Sequence, residues 1–185
     1  MERLKKLDKI CDHFHLSLQS GCDETLKRMN RKYTCNEFRN SVNLLRKTFP
    51  NVALTTDIIV GFPGESEEEF CTTYKFLEEI EFAKMHVFKY SRRKGTIAYS
   101  MQNQIDGNLK EIRSQKLLEL SDKNEKNFLS KFIGKTVEVL FEKQENGYIK
   151  GHTTNYIVVK SKENFKENEL ANIKIKNIDG LELLG

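Results

Sequence analysis

The sequence predicts an α/β unit built on a parallel sheet, followed by a small all-β module, with the change near residue 133. Three observations carry this. Residues 52–61, VALTTDIIVG, are rich in apolar and β-branched side chains on both faces, the pattern of a strand covered on both sides. Strand, helix, strand, helix and strand signals follow one another between residues 13 and 90, as right-handed βα units require. Beyond Phe132 the pattern breaks into short strands, and the hairpin pair Asn146-Gly147 lies between two of them.

Taken in order, residues 13–18 (HFHLSL) alternate as a strand and run into the turn signal Gln19-Ser20-Gly21. Residues 23–30 read as a short helix. Thr34 and Glu37 stand at capping-box spacing, so a helix follows, with Phe38, Val42 and Leu45 on its apolar face and Pro50 at its end. After the strand at 52–61 and the loop FPGE comes a second capping box, Ser66 and Glu69, with Phe70, Tyr74 and Leu77 down one helix face. Residues 85–90 read as a strand with a basic exit loop, and 103–108 as a polar connection. Residues 109–132 read as a helix with Ile112, Leu117, Leu120, Phe128 and Phe132 inward. Short strands are expected at 136–141, 148–152, 156–159 and 173–178, and their close spacing predicts a small barrel. The two domains are thus 1–132 and 133–185.

Composition narrows the class. The 185 residues carry a net charge of +4, with 38% hydrophobic residues, 31% charged residues and no Trp. A mildly basic chain is compatible with RNA, and equally with an ordinary soluble enzyme. No apolar run is long enough to span a bilayer, and residues 1–10 lack an apolar signal segment. The expected location is the cytoplasm, where cysteines stay reduced. Cys11, Cys22, Cys35 and Cys71 are too far apart in sequence to make a clustered ligand set, and His13 and His15 read as polar lining, so no metal site is expected from this chain.

Three strings, HFHLSLQSGCDETLKRMNRKYT, TTDIIVGFPGESEEEF and HVFKYSRRKGT, together resemble the methylthiotransferase family of radical S-adenosylmethionine enzymes. The last string resembles most closely the branch acting on N6-threonylcarbamoyladenosine beside the tRNA anticodon, although Lys89 and Arg92 stand where relatives often carry Pro. The final segment resembles the RNA-binding TRAM domain. The resemblance implies the C-terminal portion of a partial parallel (β/α)6 radical SAM barrel followed by a small TRAM barrel. It implies S-adenosylmethionine and 4Fe-4S clusters as cofactors of the complete enzyme, and as partners tRNA, at its anticodon stem-loop, and the N-terminal portion of the same enzyme. The C-x-x-x-C-x-x-C motif that holds the cluster is absent from this sequence. The isolated chain is therefore expected to be inactive, and half a barrel is expected to aggregate or self-associate.

Ligands of such barrels meet the C-terminal ends of the strands. Gln19 and Ser20 could hydrogen-bond a ribose or the amino-acid moiety of the cofactor, or simply close a turn. The family pattern G-x-I-x-G-x-x-E is matched in part: Ile59 and Gly61 fit, Asp57 replaces the first Gly, and Glu65 is displaced by one. Gly61 could let the backbone approach the adenine, or serve a tight turn. A phosphate-cradling loop is disfavoured by Glu65, Glu67, Glu68 and Glu69, which load the helix start with negative charge. Phe88 and Tyr90 could border the adenine. Arg92, Arg93 and Lys94 could contact tRNA phosphate or form a solvated loop, and Arg28 and Arg31 stand in a second basic cluster. The β module holds eight Lys and eight acids, so RNA binding there requires charges segregated onto one face, which Lys135, Lys150, Lys160 and Lys162 could form with Tyr148 and Tyr156, unless these charges only keep an outer face soluble. Sibling enzymes acting on isopentenyladenosine in tRNA or on a ribosomal protein, an RNA-binding remnant, and an unrelated phosphate-binding barrel remain alternatives.

Overall fold

Two capping boxes set the helix starts of the first half. The structure, a computed structural model, describes residues 4–7 and 9–185. The Glu37 N–H donates to Thr34 Oγ1 at 3.2 Å and the Thr34 N–H to Glu37 Oε2 at 2.8 Å. From there α2 (Cys35–Thr48) buries Phe38, Val42 and Leu45, following α1 (Asp23–Arg28). Ser66 and Glu69 make the same reciprocal pair ahead of α3 (Glu67–Ile80), which buries Phe70, Phe76, Leu77 and Ile80. Each box satisfies two backbone N–H groups that the first helical turn leaves without partners.

The parallel sheet has the order β1-β2-β3, with β1 (His13–His15), β2 (Ala53–Val60) and β3 (Lys84–Lys89). Pairing in register runs from Thr55↔Lys84 to Val60↔Lys89. Regular β1 is shorter than the alternating run 13–18, but pairing with β2 continues past it. The Leu16 N–H donates to Thr55 O at 2.9 Å, the Gln19 N–H to Asp57 O at 2.8 Å, and the Ile59 N–H to Gln19 O at 2.9 Å. In β2, Thr56, Ile58 and Val60 are buried, whereas Asp57 and Ile59 on the opposite face are half-buried.

A short helix not foreseen from the sequence, α4 (Ile97–Ser100), follows β3; Thr96 caps it by accepting the Tyr99 N–H at 3.3 Å. The long helix α5 (Gly107–Ser130) buries Leu117 and Leu120 as expected, but Ile112 is 53% exposed. Its buried stripe runs instead through Arg113, Ser114, Leu117, Leu120, Ser121 and Asn124. Two of these polar residues are bonded, the Met85 N–H donating to Ser121 Oγ at 3.0 Å and Arg113 Nη1 donating to Glu65 Oε1 at 2.7 Å, whereas Asn124 Nδ2 is buried with no hydrogen-bond partner among the described residues.

The remaining strands are β4 (Thr136–Glu145), β5 (Tyr148–Thr153), β6 (Val158–Ser161), β7 (Glu169–Lys174), β8 (Asn177–Asp179) and β9 (Glu182–Leu184). They form one sheet of order β7-β4-β5-β6-β9-β8. The expected single strand at 173–178 is in fact the end of β7 and the start of β8, and the reason is closure. The Ile175 N–H donates to Lys135 O at 2.9 Å, whereas the next N–H, of Lys176, donates to Leu184 O at 2.7 Å. One run of chain thus serves both edges of the sheet, which must curl back on itself and leave few open edge groups. Val139, Phe141, Ile149, Val159, Ile173 and Leu183 fill its interior, joined by Leu129 and Phe132.

By contacts the chain forms two compact units. One comprises residues 15–47 and 54–124. The other comprises the described residues up to Phe14 together with Thr48–Ala53 and Glu125–Gly185.

Candidate functional site

The face of the parallel sheet that helices leave uncovered is polar. Register puts Asp57 beside His86 and Ile59 beside Phe88, and alternation brings Thr55, Asp57, Ile59, His86 and Phe88 to one side. His15 joins them from β1: its Nε2 lies 3.3 Å from Asp57 Oδ2, its Nδ1 lies 3.0 Å from Thr55 Oγ1, and its ring is 6.0 Å from that of His86. Toward the C-terminal edge the face turns apolar, with Ile59 half-buried and Phe88 53% exposed. Such a strip suits a flat ring, and the rung below it offers hydrogen-bonding groups.

Of the residues expected at the strand ends, Ser20 has its hydroxyl turned into the fold. Ser20 Oγ lies 3.2 Å from Thr73 Oγ1 and accepts the Cys22 N–H at 3.3 Å. Gln19 is buried with φ +70 and bridges β2 through its backbone. Gly61 has φ +71, and the space above its α-carbon is filled: a Cβ there would lie 2.3 Å from Lys110 Cγ. Lys110 continues to Tyr90, donating from Nζ to Tyr90 O at 3.1 Å and standing 5.3 Å over the Tyr90 ring. The Tyr90 hydroxyl is buried with no hydrogen-bond partner among the described residues. A Gly61→Ala variant is expected to lose about 1–2 kcal/mol of stability to the left-handed backbone alone, measured by urea titration. Removing the Lys110 side chain in addition should relieve the contact without recovering that loss; full recovery would show that the contact, not φ, dictates glycine.

The expectation that Glu65 adds negative charge to the start of α3 is overturned. Glu65 is buried, where Oε1 accepts the Gly61 N–H at 3.0 Å and Arg113 Nη1 at 2.7 Å. Burial pushes its carboxyl above the usual carboxylate range, against the downward pull of the Gly61 N–H and the Arg113 charge. The loop FPGE is thereby bolted to α5. Nothing in local spacing announces a pair 48 residues apart; Lys110 lies in no local motif, and His86 opens the string HVFKYSRRKGT without any spacing that marks it as a site residue.

The basic candidates divide by what they touch. Arg28 forks onto Glu69, Nη1 to Oε1 at 2.7 Å and Nη2 to Oε2 at 2.5 Å, and its Nε donates to Pro63 O at 3.3 Å. The hydrogen bond from Arg28 holds the Glu69 carboxyl below its usual range, so the pair's full contribution to stability is present above that range and is lost as pH falls from it through the lowered value. Arg92 lies 4.5 Å over the Tyr99 ring and donates to Tyr99 O at 2.6 Å. Arg31, Arg93 and Lys94 are exposed. In the β module Lys150 lies between Glu145 and Glu182, at 3.0 and 2.8 Å, and Lys160 between Asp179 and Glu182, at 2.6 and 3.2 Å. Lys160 and Lys162 also cover Tyr148, each about 5 Å from its ring. Lys135 stands 5.6 Å over Phe132.

Among the described residues no three of His, Cys, Asp or Glu stand together as a metal site. Cys22 and Cys35 are buried while Cys11 and Cys71 are exposed, and burial pushes the Cys35 thiol up to about 12. The cysteines present do not fit an iron–sulfur cluster, whose ligands are clustered thiolates.

Residues 1–77 match the Radical SAM superfamily. The chain is 44% identical over 165 residues to threonylcarbamoyladenosine tRNA methylthiotransferase MtaB of Bacillus subtilis, covering 86% of this chain and 36% of that protein. It is 40% identical over 176 residues to the tRNA-2-methylthio-N(6)-dimethylallyladenosine synthase of Thermoanaerobacter sp. strain X514, covering 93% of this chain and 37% of that protein. The chain thus spans little more than a third of the length of these relatives. Among solved structures, coproporphyrinogen III oxidase HemN from Escherichia coli, described as a radical SAM enzyme, superposes with a TM-score of 0.53 over 61% of this chain and 27% of that chain, at 19% identity, a likeness of fold.

Proposed function

We propose that the chain belongs to the methylthiotransferase family of radical S-adenosylmethionine proteins and is the C-terminal part of a cytoplasmic tRNA methylthiotransferase acting on N6-threonylcarbamoyladenosine beside the anticodon. The observation that carries this reading is the 44% identity to MtaB across 86% of the chain. The geometry supports it. S-adenosylmethionine, when bound in the complete enzyme, supplies the radical and the methyl group. The part of this chain is to bind and orient. Ile59 and Phe88 form the apolar floor for the adenine, and Asp57 accepts hydrogen bonds on the rung below. Gln19, Ser20, Gly61 and Tyr90 shape the rim at the strand ends. Arg31, Arg92, Arg93, Lys94 and Lys135 are the cations placed to meet tRNA phosphate, since phosphate contacts need only positive charge within reach. Arg28, Lys150 and Lys160 can join them only by leaving the carboxylates they hold.

Mass spectrometry of tRNA nucleosides from a strain deleted for the complete gene tests the reading. Loss of 2-methylthio-N6-threonylcarbamoyladenosine with accumulation of its unthiolated precursor is expected. Persistence of that nucleoside with loss of the isopentenyl analogue would move the protein to the sibling branch. The isolated chain, incubated with iron, sulfide and S-adenosylmethionine, is expected to produce no methylthiolated nucleoside; turnover would overturn its assignment as a non-catalytic part.

A further inference from the structure

The outer surface of the β module carries a row of apolar and aromatic side chains. Leu140 pairs with Leu170 on one side and with His152 on the other, and His152 pairs with Val158. Leu140 and Leu170 are 41% and 60% exposed. Tyr156 extends this row. Its ring lies 4.7 Å from the His152 ring at 24°, and 5.3 Å from the His13 ring at 35°. His152 is held by Glu142, whose Oε2 is 2.7 Å from Nδ1, so the plane of the stack is fixed.

Tyr156 is 67% exposed and has φ +64. A bulky L residue disfavours that conformation, and it persists only where the surroundings impose it. Here they do. The Tyr156 N–H donates to Thr153 O at 2.9 Å and the Ile157 N–H to Thr153 Oγ1 at 3.0 Å. Buried Asn155 anchors the loop, donating from Nδ2 to Asn51 O at 2.9 Å and accepting from Thr153 Oγ1 at 2.5 Å. The loop holds a strained backbone, yet the ring it displays stays largely in solvent. Packing alone does not account for that arrangement.

We propose that Tyr156, with His152 and His13, is a stacking site for an unpaired base of single-stranded RNA. The proposal rests on the reading above that this module meets tRNA. Fixed aromatic faces at an exposed loop are what splayed-out bases stack upon. The charges agree. Glu142, the acid at the stack, is within hydrogen-bonding distance of His152. Lys174 lies opposite Thr136, on the same outward face as Leu140, with Glu138 on the rung between, and Lys135 immediately precedes the strand. Among the described residues neither Lys135 nor Lys174 is in an ion pair, so both can approach phosphate while the ring takes the base.

Binding of a fluorescent anticodon stem-loop RNA to the full chain, measured by anisotropy, tests the site with two variants. Tyr156→Asn removes the ring with a residue that tolerates the left-handed backbone, and Tyr156→Phe keeps the ring. Tyr156→Asn is expected to weaken binding about tenfold without changing its salt dependence, since no phosphate contact is lost, and with a melting temperature equal to or above the parent's. Tyr156→Phe is expected to bind like the parent. Equal affinity of Tyr156→Asn and a parent that binds would overturn the site alone; a parent that binds no RNA would overturn the RNA reading with it. Loss of stability along with binding would mark the ring as structural and overturn the site. The chain has four His, so imidazole NMR signals locate the contact: His13 and His152 should shift with RNA, and shifts confined to His15 and His86 would place it elsewhere.

Discussion

Replacing Arg113 with Met is expected to destabilise the unit holding the parallel sheet by about 3–5 kcal/mol, the cost of leaving a buried charge without its partner. Arg113 is 2% exposed and Glu65 4%. The guanidinium donates to Glu65 Oε1 and to Glu65 O at 2.7 and 3.1 Å, reaches Glu67 Oε2 at 3.0 Å, and lies 5.2 Å over the Phe70 ring. Met preserves most of the apolar stem and removes the charge, so what remains is a carboxylate inside the fold with one backbone N–H for company. The loss should shrink on acidification. Burial already raises the Glu65 carboxyl, and removing Arg113 raises it further. A carboxyl raised in the folded state binds more protons there than in the unfolded chain, so folding becomes less favourable as pH rises from the usual carboxylate range to the raised value. Urea titrations of Arg113→Met at pH 5 and pH 8 should therefore differ more than those of the parent. The double variant Arg113→Met with Glu65→Leu should regain much of the loss, since replacing both members of a buried pair is far milder than removing one. A single variant as stable as the parent would show that the pair is dispensable.

The contrast between this pair and the helix starts explains what a sequence can disclose. Thr34 with Glu37, and Ser66 with Glu69, act over one helical turn, so their spacing alone gives the geometry. The strand at 52–61 is legible because β-branched and apolar residues fill most of it, although the expected cover on both faces is incomplete: Asp57 and Ile59, on one face, are only half-buried. Glu65 and Arg113 meet through tertiary structure, and each alone reads as a surface charge. The contact of Ser20 is hidden for the same reason: its hydroxyl lies against Thr73, on another helix. The interruption at Ile175 and Lys176 is invisible because both residues continue the strand pattern; only the changing partner, Lys135 and then Leu184, divides β7 from β8. Family resemblance carried the functional reading across gaps that spacing could not. It also suggested ring contact at Gly61, where Lys110 packs.

Gly151→Ala is expected to destabilise the β module by at least about 3 kcal/mol, at the upper end of what an intruding methyl group costs. Gly151 is buried in β5 opposite Phe141, next to the register shift between Phe141 and Lys143. A Cβ there would lie 2.1 Å from Leu140 O, 2.7 Å from Leu140 C and 2.7 Å from Phe141 Cα. All three are backbone atoms of the paired strand, so no rotamer change relieves the contact. Either β4 and β5 separate, which breaks the ladder at the centre of the sheet, or the bulge is rebuilt, which turns Val139 and Phe141 out of the core. Gly147→Ala is the control. Gly147 has φ +77 but open space around its α-carbon, so alanine there costs only the left-handed backbone, about 1–2 kcal/mol. Hydrogen exchange at Ile149 and Val159 discriminates between the two. The Gly151 variant should lose protection at both amides, while the Gly147 variant should keep its pattern with a uniform small decrease. Equal protection in both variants would mean that the module has room at the β4–β5 pair. The row Leu170, Leu140, His152 and Val158 would then rest on a pliable sheet, because the same close approach of Gly151 to Leu140 holds Leu140 and His152 on neighbouring strands.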